Sequence, residues 1–226
     1  MFCLKVGLTQ SLLPADLRQR MAALLPDGRA VAYRRKEKIF GEGDESTHIA
    51  IILSGIVKIT ASTTTGREAL LGLRGAGEIV GELAALYGSP RSATVRALDD
   101  VEARLIAASV FRQRLRQNPD ALFAVLSAVI GRLRESDRRR LEFAGFDVLE
   151  RVSLLLAELA RTHGEAAPGG AVVIGLRLSQ EEVAGATGAS REAVAKALRQ
   201  LRDRRVVTTA RQRIVVLDLN ALRPRL

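Results

Sequence analysis

Between residues 30 and 107 the chain repeats one pattern. Short apolar runs of period two, "AVAYR", "HIAIIL", "GIVKIT", "EALLGL", "ATVRAL" and "EARLIA", are separated by glycines at 41, 43, 55, 66, 75, 77 and 81. Alternation over four to seven residues buries one face of a strand, and glycine at hairpin spacing supplies the turns. Six such strands in under 80 residues, with turn signals at regular intervals, predict a sandwich or barrel. After Pro119 the period changes. Leu122, Leu126, Val129 and Leu133 follow 4-3-4 spacing, the narrow seam of a long helix that pairs with a second helix. The alternative is an amphipathic helix packed on its own domain. The fold class is α+β: an N-terminal jelly-roll-like β-roll, a long helix, and a C-terminal region of helices and short strands.

The 226 residues, 47% apolar, suffice for one or two domains with cores of their own. The longest aliphatic run, "IAIIL" at 49–53, is far too short to span a bilayer. Lys5 interrupts "MFCLKVGLTQ" where a signal peptide is apolar. Cys3 is the only cysteine, which excludes an intrachain disulfide framework and a multi-cysteine metal site. Together these predict a cytoplasmic protein with no membrane partner. Net charge is +10, and residues 190–213 concentrate it. Arg191, Lys196, Arg199, Arg202, Arg204, Arg205, Arg211 and Arg213 stand against Glu192 and Asp203 alone. Such asymmetry points to a polyanion, and double-stranded DNA is the expected partner; a merely solvated arginine-rich surface is the alternative.

"PADLRQRMAALL" at 14–25 reads as a helix, with Pro14 at its first position and Leu17, Met21, Leu24 and Leu25 on one face. "ASVFRQRLRQNP" reads as a short helix capped by Ser109 and stopped before Pro119. The long-helix seam, extended in register, turns polar at Ser136 and Arg140 before Phe143. "GFD" at 145–147 ends that helix, and Asp147 with Glu150 forms a capping box for the next, "VLERVSLLLAELART". "HGEAAPGG" at 163–170 reads as a loop and "AVVIGLRL" as a strand or hairpin.

In "LSQEEVAGATGASREAVAKALRQLRDRRVV", Ser179 and Glu182 form a second capping box ahead of Val183 and Ala184. Gly188 supplies the turn, and Ser190 caps a further helix with Val194, Ala195, Leu198 and Leu201 inward. Two short helices joined by such a turn form a helix-turn-helix, whose second helix enters the major groove by its N-terminal end. Arg191, Glu192 and Lys196 stand there: arginine reads guanine O6 and N7, and glutamate accepts from the cytosine amine. "VVTTARQRIVVLDL", with Arg211 and Arg213 at its tip, reads as a wing on phosphates. A helical hairpin with a solvated basic face is the rival reading.

"GELAALYGSPRSATVRA" at 81–97 breaks the strand pattern to place Glu82 nine positions before Arg91. One reading is an ion pair closing a hairpin. Another is an anion site: a glycine for close approach, a helix start, a guanidinium and Ser92. With "IFGEGDES", "IILSGIVKI", "GEIVGELAALYGSPRSATVRA", the "FDV" at 146–148 and "GASREAVAKALRQL" in this order, the chain resembles the cyclic-AMP receptor protein family, the Crp/Fnr superfamily of bacterial transcription regulators. The resemblance spans about 13–220. It implies a cyclic-nucleotide-binding roll over 1–118, a dimerisation helix over 119–146 and a winged helix-turn-helix over 147–226. It further implies that Glu82 accepts the ribose 2′-hydroxyl, Arg91 pairs with the cyclic phosphate and Ser92 adds a hydrogen bond, with backbone groups from Gly81 and Leu83. Ser136 would meet the adenine amine against the dimer interface. Asp137 departs from the small hydroxyl or amide common at that position, so cyclic GMP, or no nucleotide, stands beside cyclic AMP as the effector; no cofactor is implied.

The resemblance also implies a homodimer on a pseudo-palindromic site with a GTGA-like core. DNA would be contacted by Ser179, Ser190, Arg191, Glu192, Lys196, Arg211 and Arg213, and RNA polymerase through the 163–170 loop. Lys196 replaces a second arginine. One cysteine does not suit the iron–sulfur branch of the superfamily, and His48 and His163, read as solvated near turns, do not suit the haem branch. No catalytic constellation is visible, so a regulator rather than an enzyme is expected. The rivals are a regulator that responds to no nucleotide and a nucleotide sensor acting on protein partners.

Overall fold

The computed structural model describes residues 21–222 apart from 65, 67, 211 and 212. The expectations at Cys3, Lys5, Pro14, Leu17 and Arg211 lie outside the described residues. Met21 to Leu24 are helical, and Met21 and Leu25 are fully buried, as the spacing requires.

Two four-stranded sheets lie mostly within the first unit. One has the order β1 (Arg29–Tyr33), β8 (Val101–Ala107), β3 (His48–Ser54), β6 (Ile79–Val80). The other has β2 (Lys38–Phe40), β7 (Thr94–Ala97), β4 (Val57–Ser62), β5 (Glu68–Arg74). The unbroken apolar run in β3 has a structural cause. Ala50 and Ile52 join Phe40, Val57, Val95 and Ala103 in a core fed by both sheets. Ile49 and Ile51 point the other way, into a second core with Phe111, Leu115, Ala121, Ala124 and Val125. A strand covered on both faces loses its alternation. Strands β2 and β6 were not visible in the sequence, because three and two residues are too few to show a period.

The second core is covered by helices. These are α1 (Glu82–Tyr87), α2 (Ala108–Gln117) and the first half of α3 (Pro119–Gly145). Ser109 does not cap α2. Ala107 occupies the cap without a side-chain bond, and the amide of Ala108 donates instead to the Thr47 carbonyl (2.9 Å), which ties the helix start to the sheet. Asn118 Oδ1 accepts from the amide of Ala121 (3.1 Å) at the start of α3, a cap the sequence reading missed.

The described residues divide into two compact units within α3, after Arg134, and residues 63–70 belong to the second. The division falls inside the helix that the resemblance implies over 119–146: its small residues Ala121, Ala124 and Ala128 are buried in the first unit's core, whereas its last turns engage the helix that follows. There Arg138 pairs with Glu142 of its own helix and reaches the buried Glu158 of α4 (Val148–His163) at 3.9 Å. Burial pushes the Glu142 carboxyl above its ordinary value, opposed by Arg138 and Arg139.

In the second unit Asp147 and Glu150 form the expected capping box, with bonds of 2.8 and 2.9 Å. Helix α4 packs on both α5 (Gln180–Thr187) and α6 (Arg191–Asp203). A sheet of order β11 (Val207–Ala210), β12 (Arg213–Val216), β10 (Val172–Ile174), β9 (Gly164–Ala166) completes it. The segment read as the loop 163–170 thus contributes an edge strand, which pairs antiparallel with β10.

Candidate functional site

The stretch from 81 to 92, the cassette read above as an anion site, forms around Gly81, Glu82 and Arg91. Gly81 has φ 84°, a left-handed conformation that suits glycine. A Cβ there would lie 2.5 Å from Arg91 Nη1 and 2.9 Å from Phe40 Cε2. The close approach that glycine permits is therefore to Arg91 and Phe40. Arg91 is 4% exposed. Its Nη1 donates to the Gly81 carbonyl (2.8 Å) and its Nη2 to that of His48, while its Nε is buried with no hydrogen-bond partner. Its guanidinium lies 3.9 Å from the Phe40 ring centroid. Burial pulls its pKa below the ordinary arginine value, with the charges of Glu82 and Asp44 opposing.

The Glu82–Arg91 ion pair that would close a hairpin does not form. Glu82, 1% exposed, gives its Oε1 to Nη1 of Arg132 on α3, whose Nη2 bonds the Ile79 carbonyl. Its Oε2 is buried and unpartnered. Arg132 was missed by sequence reasoning. It stands 50 residues from Glu82 in a helix rich in arginine, and only its position one turn before Ser136 could have singled it out.

The other expected ligand residues are less enclosed. Leu83 and Ser92 are exposed beside the cassette, with Leu83 in the first turn of α1. Ser136 and Asp137 are exposed on α3, where Asp137 pairs loosely with Arg140 at 3.4 Å. His48 is not a solvated turn residue. It opens β3 half-buried, its ring edge-on to Phe40 at 5.0 Å and its Nδ1 2.8 Å from Thr47 Oγ1. Burial, then Arg91 and Arg29, lower its pKa.

The second unit holds the nucleic-acid interface. Ser179 and Glu182 form their capping box, with the Ser179 hydroxyl accepting from the Glu182 amide at 3.2 Å. Gly188, φ 59°, ends α5 in the left-handed region, and Ser190 Oγ accepts from the amide of Ala193 at 3.1 Å. Both serines thus use their hydroxyls to start helices. Val194, Leu198 and Leu201 are buried as expected, but Ala197, not the half-buried Ala195, completes the inner face. One helical turn separates Val194 from Ala197 and Leu198, which fixes that face. Arg191, Glu192 and Lys196 are all exposed at the N-terminal end of α6. Arg213, exposed, opens β12 of the wing hairpin.

A roll with a buried guanidinium and an unpartnered carboxylate oxygen, followed by a winged helix-turn-helix, defines a class: DNA-binding regulators that carry an effector domain. Residues 30–118 match the cyclic nucleotide-binding domain model, and residues 150–225 match the Crp-like helix-turn-helix domain. The chain is 30% identical over 218 residues to the CRP-like cAMP-activated global transcriptional regulator of Mycobacterium tuberculosis, covering 96% of this chain and 95% of that one. It is 28% identical over 191 residues to the cAMP-activated global transcriptional regulator CRP of Haemophilus influenzae, covering 81% and 82%. Among solved structures, the c-di-GMP responsive global regulator CLP of Xanthomonas campestris superposes with a TM-score of 0.76 at 27% identity, covering 91% of this chain and 100% of that one. The chain belongs to the Crp/Fnr family of transcription regulators. It carries that family's cyclic nucleotide-binding and DNA-binding domains, and no described helix is long and apolar enough to cross a membrane.

Proposed function

We propose that the chain is a cytoplasmic, homodimeric transcription regulator whose effector is cyclic AMP and whose target is a pseudo-palindromic DNA site. One observation carries the ligand assignment. Two buried polar atoms of the cassette lack partners, the acceptor Glu82 Oε2 and the donor Arg91 Nε. A buried polar atom without a partner costs roughly 1–3 kcal/mol, and a ribose hydroxyl and a phosphate oxygen answer these two. The regulators of M. tuberculosis and H. influenzae, both described as cAMP-activated, favour the adenine nucleotide. Isothermal titration with cyclic AMP, cyclic GMP and cyclic di-GMP tests this. Tightest binding of cyclic AMP is expected; preference for cyclic di-GMP would align the chain with the Xanthomonas regulator, and binding of none would leave a nucleotide-independent regulator.

The dimer would join along α3, where Leu122, Phe123, Leu126, Ile130 and Leu133 are exposed opposite the buried alanines. The stripe is wider than the narrow seam of the heptad reading, since Phe123 and Ile130 extend it. A contiguous apolar face of this kind calls for a partner, and a second copy brings two α6 helices to half-sites about one DNA turn apart. RNA polymerase is the proposed protein partner, met through 163–170.

Base reading gives a sharper expectation. Arg191→Ala and Glu192→Ala should each relax preference at one base pair of the half-site by about 1–3 kcal/mol. Lys196→Ala should weaken binding with less effect on sequence preference, because an ammonium lacks the planar fork of arginine. Selection from a random duplex pool checks this: an unchanged consensus for Glu192→Ala would remove α6 as the reader.

A further inference from the structure

We propose that Phe40 is a positioning residue for effector binding: its ring face holds the buried Arg91 guanidinium in the orientation that offers its remaining N–H groups to the nucleotide phosphate. The proposal rests on the cassette's reading as a cyclic-nucleotide site.

A guanidinium forms hydrogen bonds only in its plane, so burial leaves its two faces to be covered by something else. Arg91 has 4% exposure and, among the described residues, no carboxylate within ion-pair distance. Its hydrogen-bond partners are the carbonyls of Gly81 and His48, and its Cζ lies over the Phe40 ring, 3.9 Å from the centroid. An aliphatic floor would leave the charge against uncompensated apolar surface, whereas the negative face of an aromatic ring attracts it.

Phe40 is itself held. It is buried in the inter-sheet core, and the ring of His48 meets it edge-on, at 61° between planes. The β2–β7 register shifts between Lys38 and Phe40, an irregularity of the kind that re-aims a side chain. The turn after Phe40 clamps the backbone of Arg91 as well. The Arg91 amide donates to the Asp44 carbonyl and the Gly43 amide to the Arg91 carbonyl, both at 2.8 Å. Ring, carbonyls and turn therefore all hold Arg91, and such preorganisation strengthens binding.

The test replaces Phe40 in the full chain with 3,4,5-trifluorophenylalanine, nearly isosteric but with a depleted ring face, beside Phe40→Leu. Cyclic AMP is titrated calorimetrically and thermal midpoints are recorded. The trifluoro protein should melt as wild type does yet bind about fivefold more weakly, and Phe40→Leu should bind about tenfold more weakly. A trifluoro protein with wild-type affinity overturns the role of Phe40 and leaves the nucleotide site standing. A wild-type chain that binds no cyclic AMP overturns the nucleotide reading, and the proposal with it.

Discussion

Arg91→Ala should weaken cyclic AMP binding by about 2–5 kcal/mol, from roughly thirtyfold to several thousandfold. The size follows from burial. The phosphate would enter a pocket whose guanidinium is already desolvated, so a screened surface contact is a poor guide to its strength. Without Arg91, an anion would sit in a low-dielectric cleft beside the Glu82 carboxylate and lack a facing cation. The folded state without effector should change less. Arg91 makes no ion pair with a described carboxylate, and its removal takes away a buried charge along with two carbonyl bonds and a ring contact. Thermal melting separates the two effects: the effector-free midpoint should stay near that of wild type, while the rise on adding cyclic AMP disappears. Glu82→Ala should lose less affinity, because a ribose hydroxyl is neutral, although it also strips Arg132 of its carboxylate partner.

Leu126→Asp should give monomers. Leu126 is 50% exposed and Leu133 60% exposed in the single chain, which leaves them free to be covered by the second copy's helix. A two-fold axis repeats the substitution, so each dimer would bury two carboxylates without partners. Each would cost about 2 kcal/mol or more. Since the side chain points away from the core of its own domain, the fold should persist. Sedimentation of Leu126→Asp as a folded dimer would place the contact elsewhere.

Sequence legibility followed the range of the interactions. The capping boxes at Asp147 and Ser179, and the turn at Gly188, were readable because each is decided within four residues. The cassette was readable as residue types, Gly81, Glu82 and Arg91, but not as geometry. That Glu82 meets Arg132 and Arg91 meets Phe40 depends on how α3 and β2 pack against the 81–91 segment. No spacing along the chain encodes either contact. Ser109 misled because a helix start can be satisfied by a backbone carbonyl from elsewhere in the fold as well as by a hydroxyl. Ala195 was assigned inward by period alone, and the face turned by a fraction of a turn once α6 packed on α4 and α5.

The central claim is that nucleotide in the roll governs DNA binding by the winged helix. Fluorescence anisotropy with a labelled duplex carrying two GTGA-type half-sites, at fixed salt, tests it most directly. Cyclic AMP should raise the affinity of the wild-type chain for this duplex at least about tenfold, a coupling free energy near 1.4 kcal/mol. It should leave Arg91→Ala unchanged, with both proteins alike on random-sequence DNA. Equal wild-type affinity with and without cyclic AMP would contradict the account.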